Sequence, residues 1–238
     1  MDWVSSLAER VTPAASTIPL EGRPLVLTVL LAAVAIVVDP LWRLLRIGIT
    51  LVHELGHAVV GVLFGRRFTG FVVRGDMSGH AVTVGPARGF GRIATTWAGY
   101  PMPALLGAAM IVLAELGWGA PLLTGALAVL VLALTRIRSA LTLLVMIAAL
   151  AAVGSLWWWR DDSLQAHLLV ATGIVLIVGA WRHLAALIGP GRRDRTSDPA
   201  VLAELTGVPR VLWVLGFALV MGAATASAWR TLAAGLLA

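Results

Sequence analysis

The sequence predicts an all-α polytopic membrane protein of about seven transmembrane helices, with a small membrane-associated β-hairpin after the second helix. Composition gives the first reason: 59% of the 238 residues are hydrophobic, 13% are charged, and the mean hydropathy is +0.92. A soluble domain carries about 25% charged residues, so this chain has too few to cover a globule with polar surface. The second reason is pattern, because the apolar residues fall into runs near the length of about 20 residues that a bilayer-crossing helix needs.

Seven apolar runs are the candidate membrane-crossing helices. The first run ends at Asp39-Pro40, because proline and the residue before it both disfavour helix. The fourth run is short and follows the third through a tight turn at Gly117-Trp118-Gly119. In chain order the runs cover residues 24–38, 41–64, 93–116, 120–134, 139–157, 164–188 and 211–237.

One segment between the second and third runs has a different pattern. Residues 68–86 hold two short runs rich in β-branched residues, separated by the sequence Gly-Asp-Met-Ser-Gly. This pattern predicts a β-hairpin. Because open strand edges cannot face lipid, we expect the hairpin to lie at the membrane interface or to pack against protein. Residues 24–238 would then form one transmembrane domain that includes a cytoplasmic segment at 189–210, preceded by a cytoplasmic N-terminal segment of residues 1–23.

The arginines indicate how the runs are oriented. Every basic residue is an arginine, and the loops after the second, fourth and sixth runs carry most of them. The positive-inside rule places these loops in the cytoplasm, together with the N-terminus. The composition is rich in Ala, Gly and Arg and lacks Lys, as in GC-rich bacteria, so we expect a multi-pass protein of a bacterial inner or plasma membrane. The arginines of the three loops are Arg66, Arg67, Arg74, Arg88 and Arg92, then Arg136 and Arg138, then Arg192, Arg193, Arg195 and Arg210.

The second apolar run contains the pattern H-E-x-x-H, formed by His53, Glu54 and His57. Residues i and i+4 share one face of a helix, so the two imidazoles can hold one zinc ion. Glu54 then lies beside the ion, where it can act as the general base for a zinc-activated water. A charged side chain inside a bilayer costs a few kcal/mol, which favours a functional role. Gly56, within the motif, indicates close approach by another backbone.

A catalytic zinc site needs a third protein ligand. The motif lies in the second half of its run, so we expect the site toward the cytoplasmic side and the third ligand from a cytoplasmic segment. Asp76 and His80 in the predicted hairpin, and Asp194 and Asp198 before the last run, meet this condition. Asp194 lies among arginines that can pair with it, and Asp198 precedes Pro199 and can cap a short helix. The residues alone leave these alternatives open.

Several segments resemble a known family. The sequence HELGHA at residues 53–58 resembles the core motif of the site-two proteases, which are intramembrane zinc metalloproteases. Three further segments resemble a smaller bacterial and plant subgroup of peptidase-like members. They are RGDMSGHAVTV at residues 74–84, AGYPMPALLGA at 98–108 and SDPAVLAELTGVPRVLW at 197–213.

The resemblance implies a ligand set and a reaction. It implies that His53, His57 and Asp198 hold one Zn²⁺ and that Glu54 is the catalytic base. The reaction it implies is hydrolysis of a peptide bond in a membrane-spanning substrate. Better-known members carry the third ligand in an N-x-x-P…D-G stretch, whereas Asp198 is followed by Pro199. The alternative is a non-proteolytic metal-binding membrane protein, such as a transporter, a sensor or a structural partner.

A helical substrate must unwind before its peptide bonds can be cleaved. The edges of the predicted hairpin could hold the extended segment by β-augmentation, which makes Val82 and Val84 candidate substrate contacts. Tyr100 and Pro101 are candidates for a wall of the cleft. The expected partners are a membrane protein or peptide substrate and the lipid bilayer. We expect no nucleic-acid partner, because the arginines are scattered rather than gathered in one patch.

Overall fold

The computed structural model describes residues 3–74, 79–188 and 195–237, which are mostly helical. These residues form ten helices and one two-stranded sheet. In chain order the elements are α1 (Trp3–Val11), α2 (Gly22–Val37), α3 (Asp39–Leu63), β1 (Arg67–Val73), β2 (Gly79–Val84), α4 (Phe90–Trp97), α5 (Met102–Glu115), α6 (Gly119–Leu134), α7 (Ala140–Trp158), α8 (Asp162–Ile188), α9 (Asp198–Thr206) and α10 (Arg210–Leu236).

Four helices are long and apolar enough to cross a membrane, namely α3, α7, α8 and α10. Helices α4 and α5 pass the same test as a pair but are bent by 67°. The predicted third span is therefore two helices, because Pro101 cannot supply the N–H that would continue α4. Helices α2 and α6 are apolar but have 16 residues each, fewer than the roughly 20 that span a bilayer. The chain has four or five candidate spans, and the expected seven are not confirmed.

The helices define two ends of the molecule. At the end that we call the hairpin end, the hairpin and α9 lie beside the start of α5. The opposite end holds the α5–α6 turn, the α7–α8 turn and the last turns of α10. Contacts of the N-terminal segment fix its place, because the Ala14 amide donates to Gly117 at 2.8 Å and the Ile18 amide donates to Glu115 at 2.8 Å. The N-terminal segment therefore lies at the opposite end.

The described N-terminal residues thus lie at the end of the molecule away from the arginine-rich loops, whereas alternating spans would place them at the same end, and the membrane side of residues 1–23 stays a prediction. Helix α2 starts at the opposite end, where a Cβ at Gly235 would collide with the backbone of Leu20. It then runs toward the hairpin end, where the Ile36 carbonyl accepts a hydrogen bond from Arg182 at 3.3 Å.

Helix α3 lies across the hairpin-end half of the molecule. Near its start, Trp42 packs under the guanidinium of Arg182, whose Cζ lies 4.1 Å from the ring centroid. Just beyond its end, the ring of Phe64 lies 5.2 Å from that of Phe90. Both ends of α3 thus contact residues in the same half. The predicted break between the first two helices is confirmed, since Val38 is extended and Pro40 lies in the first turn of α3.

The predicted hairpin is confirmed as an antiparallel pair of β1 and β2, with Phe71 opposite Ala81. The outer edge of β1 is covered by protein: the Phe71 amide donates to the Arg136 carbonyl at 3.1 Å. At the end of the strand, the Val73 amide donates to the buried hydroxyl of Thr142 on α7 at 2.8 Å. These bonds hold the hairpin against the α6–α7 linker, as the cost of a lipid-facing strand edge requires.

Helices α5, α8 and α10 form the main core. Helices α5 and α8 approach closely at Gly107 and Gly173, where a Cβ on either glycine would lie 2.5 Å from the carbonyl oxygen of the other. Ile111, Val170 and Phe217 are fully buried in this core. The packing holds the start of α5 and the start of α10 in fixed positions beside α3.

Candidate metal centre

Two helices bring the candidate ligands together at the hairpin end. Helix α3 carries His53, Glu54 and His57, and the first residue of α9 is Asp198. Among the described residues, His53, His57 and Asp198 form the group of His, Cys, Asp or Glu side chains that could hold a metal ion. The i, i+4 spacing places both imidazoles on one face of α3.

The three ligand atoms form a nearly regular triangle. His53 Nε2 lies 3.2 Å from His57 Nε2, and Asp198 Oδ2 lies 3.4 Å and 3.3 Å from these two nitrogens. A tetrahedral zinc ion bound at about 2.0 to 2.1 Å keeps its ligand atoms about 3.3 Å apart. The triangle therefore has the dimensions of one face of a zinc tetrahedron, with the fourth position left for a non-protein ligand.

Backbone carbonyls orient the imidazoles. The His57 Nδ1 lies 2.7 Å from the carbonyl oxygen of Thr95, and His53 is hydrogen-bonded to the backbone of Gly99. Because a carbonyl only accepts, the His57 Nδ1 carries the proton, and a neutral ring then presents an unprotonated Nε2. Such a bond from the distal ring nitrogen is the usual support of a metal-ligating histidine.

Two glycines make room for this arrangement. A Cβ at Gly99 would collide with His57 Nε2 and lie 2.7 Å from Asp198 Oδ2. A Cβ at Gly56 would lie 2.8 Å from the Cβ of Met102 and 3.2 Å from the Ala98 carbonyl oxygen. The close approach expected at Gly56 is thus made by the α4–α5 junction, which brings the Thr95 and Gly99 carbonyls to the histidines.

Asp198 contributes its carboxylate rather than capping a helix. Ser197 is the N-cap of α9, so Asp198 lies within the first turn with its side chain directed at the histidines. Its Oδ2 is buried and faces the Nε2 atoms of His57 and His53. Burial by itself raises the pKa of Asp198, but attraction to His57 and His53 outweighs burial, and the pKa lies below its ordinary value. The anionic form, which is the form that binds metal, is favoured.

The carboxyl group of Glu54 lies between α3 and the hairpin. The side chain is 5% exposed, and a Cβ at Gly79 would lie 2.5 Å from Glu54 Oε1. The backbone amide of Ala81 hydrogen-bonds to this carboxyl group. Strand β2 thus places backbone polar groups beside Glu54, next to the three ligand atoms.

The other candidate residues have different positions. The Tyr100 ring lies 5.1 Å from the His53 ring, and Pro101 is buried behind it as the N-cap of α5. On β2, His80 and Val84 are exposed, and Val82 directs its carbonyl to the hydroxyl of Thr69 on β1. His80 is therefore not part of the ligand group. Two further alternatives, Asp76 and Asp194, lie outside the described residues.

Sequence analysis did not identify the residues that support the site only through their backbone groups. Thr95 and Gly99 act through their backbones, for which residue identity gives little signal. His183 on α8 also lies near the site, with its ring 6.5 Å from that of His53. The sequence signal for this supporting junction is the glycine and proline content of residues 98–108, which predicts a break in the helix.

The fold and the site define a class of protein. Half-buried histidines one helical turn apart and an aspartate from a second helix form a group that could hold a metal ion, and with the adjacent glutamate they match the residue pattern of a metallopeptidase, here within a chain of several apolar helices. The chain belongs to the Peptidase M50B-like family, a site-two protease family, whose family model matches residues 26–228. No curated protein and no solved structure matches the chain.

Proposed function

We propose that this protein is a zinc metalloendopeptidase that cleaves a membrane-spanning substrate within the membrane. The triangle of His53 Nε2, His57 Nε2 and Asp198 Oδ2 is the observation that carries the proposal, because its edges of 3.2 to 3.4 Å fit a tetrahedral zinc ion. Glu54, on the same turn of α3, supplies the acid–base group that a purely structural metal site does not need.

The residues divide into ligands and a base. His53, His57 and Asp198 bind one Zn²⁺, and the α4–α5 junction keeps the two imidazoles aimed at it. When bound, zinc supplies Lewis acidity, which polarises a carbonyl oxygen and makes water more acidic. The Glu54 carboxylate accepts the proton of the attacking water and then delivers it to the leaving amine.

Strand β2 is the proposed binding site for the unwound substrate. Residues opposite each other in an antiparallel pair direct their backbone groups either both inward or both outward. The Phe71 amide points outward to Arg136, so the backbone of Ala81 points to the outer edge of β2, beside Glu54. An extended segment paired along that edge would run past Glu54. Val82 lies on the β1 side of the strand, so its backbone supports the hairpin rather than the substrate.

We infer that the hairpin end faces the cytoplasm. Because α3 lies in the hairpin-end half, Arg43 and Arg46 lie at the same end as other arginines. These are the arginines of the hairpin, of the α6–α7 linker and of the segment before α10. The opposite end carries fewer arginines, and Arg160 there is paired with Asp162 at 2.7 Å. The positive-inside rule therefore favours this orientation. The N-terminal segment would lie on the outer side.

The variant Glu54→Gln tests the proposal. Glutamine preserves the shape of the side chain but cannot accept the proton, so we expect cleavage of a co-expressed membrane substrate to fall by at least about 100-fold. Zinc content of the purified protein should stay at the wild-type level, because Glu54 is not a ligand. Cleavage is read from the appearance of the shorter product on a gel.

The matched control is Glu204→Gln, which changes an exposed glutamate on α9. It should leave both cleavage and zinc content unchanged. Unchanged cleavage by Glu54→Gln would refute the catalytic role. A wild-type protein that binds zinc but cleaves none of a panel of membrane substrates would favour the alternative of a non-proteolytic metal-binding protein.

A further inference from the structure

A cavity lies on the face of α3 away from the metal centre. It is a crevice of about 770 Å³ between the second half of α3, the start of β1 and the last turns of α6. Its walls are mainly aliphatic and include Val59, Val62, Val129 and Leu132. Val62 and Leu132 are exposed, at 55% and 72% respectively. The crevice therefore opens onto the apolar surface that faces the acyl chains of a bilayer.

The crevice has a positive end. Arg66, Arg67 and Arg136 line it, and no Asp or Glu does. Arg66 is buried and turned inward, since its guanidinium donates to the Pro86 carbonyl at 2.8 Å and to the Thr83 hydroxyl at 3.1 Å. Arg67 and Arg136 are exposed, and the described part of the chain offers neither of them a carboxylate within salt-bridge distance.

The arginines lie where the polar headgroups of a membrane would be, and the aliphatic walls lie where its acyl chains would be. Arg67 follows the end of α3 and Arg136 follows the end of α6, so both lie at the hairpin end. The aliphatic walls at Val129 and Leu132 lie one to two turns back along α6, toward the bilayer interior. A ligand that matches both parts has a negatively charged head and an apolar tail.

We propose that this crevice binds an anionic phospholipid of the adjacent leaflet. The phosphate and the negative headgroup lie against the guanidinium groups of Arg67 and Arg136, and an acyl chain lies along the α3–α6 wall. Basic pockets between membrane helices on the cytoplasmic side are suited to anionic headgroups. The bound lipid contacts both α3, which carries the metal ligands, and α6, whose following linker covers the edge of β1. It therefore stabilises the contact between α3 and α6.

Lipid-dependent thermal stability of the purified full-length protein tests the proposal. The probes are phosphatidylglycerol and phosphatidylcholine, each added to the protein in a neutral detergent. We expect phosphatidylglycerol to raise the melting temperature more than phosphatidylcholine does. The double variant R67Q/R136Q should bind phosphatidylglycerol about 30-fold more weakly, since each basic residue near an anionic lipid contributes about a fivefold factor.

The control variants separate this site from general charge effects. R43Q/R88Q removes two exposed arginines that do not line the crevice, and it should keep the wild-type response. Leu132→Ala, which shortens the apolar wall and leaves the arginines in place, should weaken phosphatidylglycerol binding severalfold. Inorganic phosphate at the same concentration should not reproduce the shift.

Three outcomes would overturn the proposal. The first is equal stabilisation of the wild type by phosphatidylglycerol and phosphatidylcholine. The second is an equal loss of response in R67Q/R136Q and R43Q/R88Q, which would indicate unspecific attraction. The third is full stabilisation by inorganic phosphate, which would indicate a free-anion site. If R67Q/R136Q does not fold, Leu132→Ala with the two-lipid comparison decides the question.

Discussion

His57 illustrates what a single residue needs in order to act as a ligand. Its Nδ1 faces the Thr95 carbonyl at 2.7 Å, which leaves Nε2 for a metal. Thr95 lies 38 positions away in the chain, on a helix whose C-terminal end approaches α3 at Gly56, where a Cβ would lie 3.2 Å from the Ala98 carbonyl oxygen. The ligand itself was predictable from the spacing of two histidines, whereas its supporting carbonyl was not, because backbone groups carry no sequence signal.

Gly99 offers a test at the level of one atom. In Gly99→Ala the new Cβ would collide with His57 Nε2 and crowd Asp198 Oδ2, so we expect zinc affinity to fall at least tenfold while the protein remains folded. Zinc affinity measured by competition with a chelator, alongside the melting temperature, checks this. Gly216→Ala is the control, since nothing lies within 4 Å of the added Cβ. Equal zinc affinity in Gly99→Ala and the wild type would contradict the proposed ligand geometry.

Asp198 shows why the third ligand was harder to predict than the first two. An aspartate before a proline is equally typical of a helix start and of a ligand, and both patterns are local. The structure separates them by placing Ser197 at the N-cap position and the Asp198 carboxylate beside the histidines. That contact joins positions 57 and 198 across the chain, so no spacing rule could indicate it.

At the scale of elements, the hairpin was predictable and its exposed edge was not. The β-branched runs around a glycine-rich turn indicated two strands, and both form. Which strand lies at the edge depends on the α6–α7 linker, where Ile137 forms a parallel bridge with Phe71 and so covers β1. That contact joins residues more than sixty positions apart in the sequence, and it leaves β2 as the strand beside Glu54.

The outer edge of β2 can be tested by removing one amide. Ala81→Pro deletes the N–H that donates to Glu54 at this edge, and we expect substrate cleavage to fall about tenfold, the effect of the catalytic base losing one backbone hydrogen bond. Zinc content should not change. Ala81→Ser keeps the amide and serves as the control at the same position. If Ala81→Pro cleaves as fast as Ala81→Ser, the contact between β2 and Glu54 does not contribute to catalysis.

At the scale of the whole molecule, hydropathy predicted where the helices lie in the sequence but not how they run through the fold. The apolar runs correspond to helices α2, α3, α4–α5, α6, α7, α8 and α10, with the third run divided by its bend. Hydropathy is the same in both directions along a helix, so it could not show that residues at both ends of α3 contact the hairpin-end half of the molecule. The placement of the residues before α3 relative to the hairpin end therefore differs from the one that alternating spans would give.

The absence of native cysteine makes the path of the chain directly measurable. We expect Ser16→Cys and Ser163→Cys to react with a membrane-impermeant maleimide from one side, since both exposed residues lie at the end opposite the hairpin. Ala87→Cys, between β2 and α4, should react only from the other side. Labelling of intact cells and of inverted vesicles distinguishes the two. Labelling of Ser16→Cys and Ala87→Cys from the same side would contradict the fold.

The binding of zinc by ligands from two distant segments is the claim on which the rest depends. Zinc content of the purified protein after zinc supplementation tests it most directly, with Asp198→Ala, Asp194→Ala and His80→Ala measured in parallel. We predict about one zinc per chain for the wild type, Asp194→Ala and His80→Ala, and at least about 100-fold weaker binding for Asp198→Ala. A wild-type protein that stays metal-free, or an Asp198→Ala variant that binds zinc as tightly as the wild type, would contradict the account.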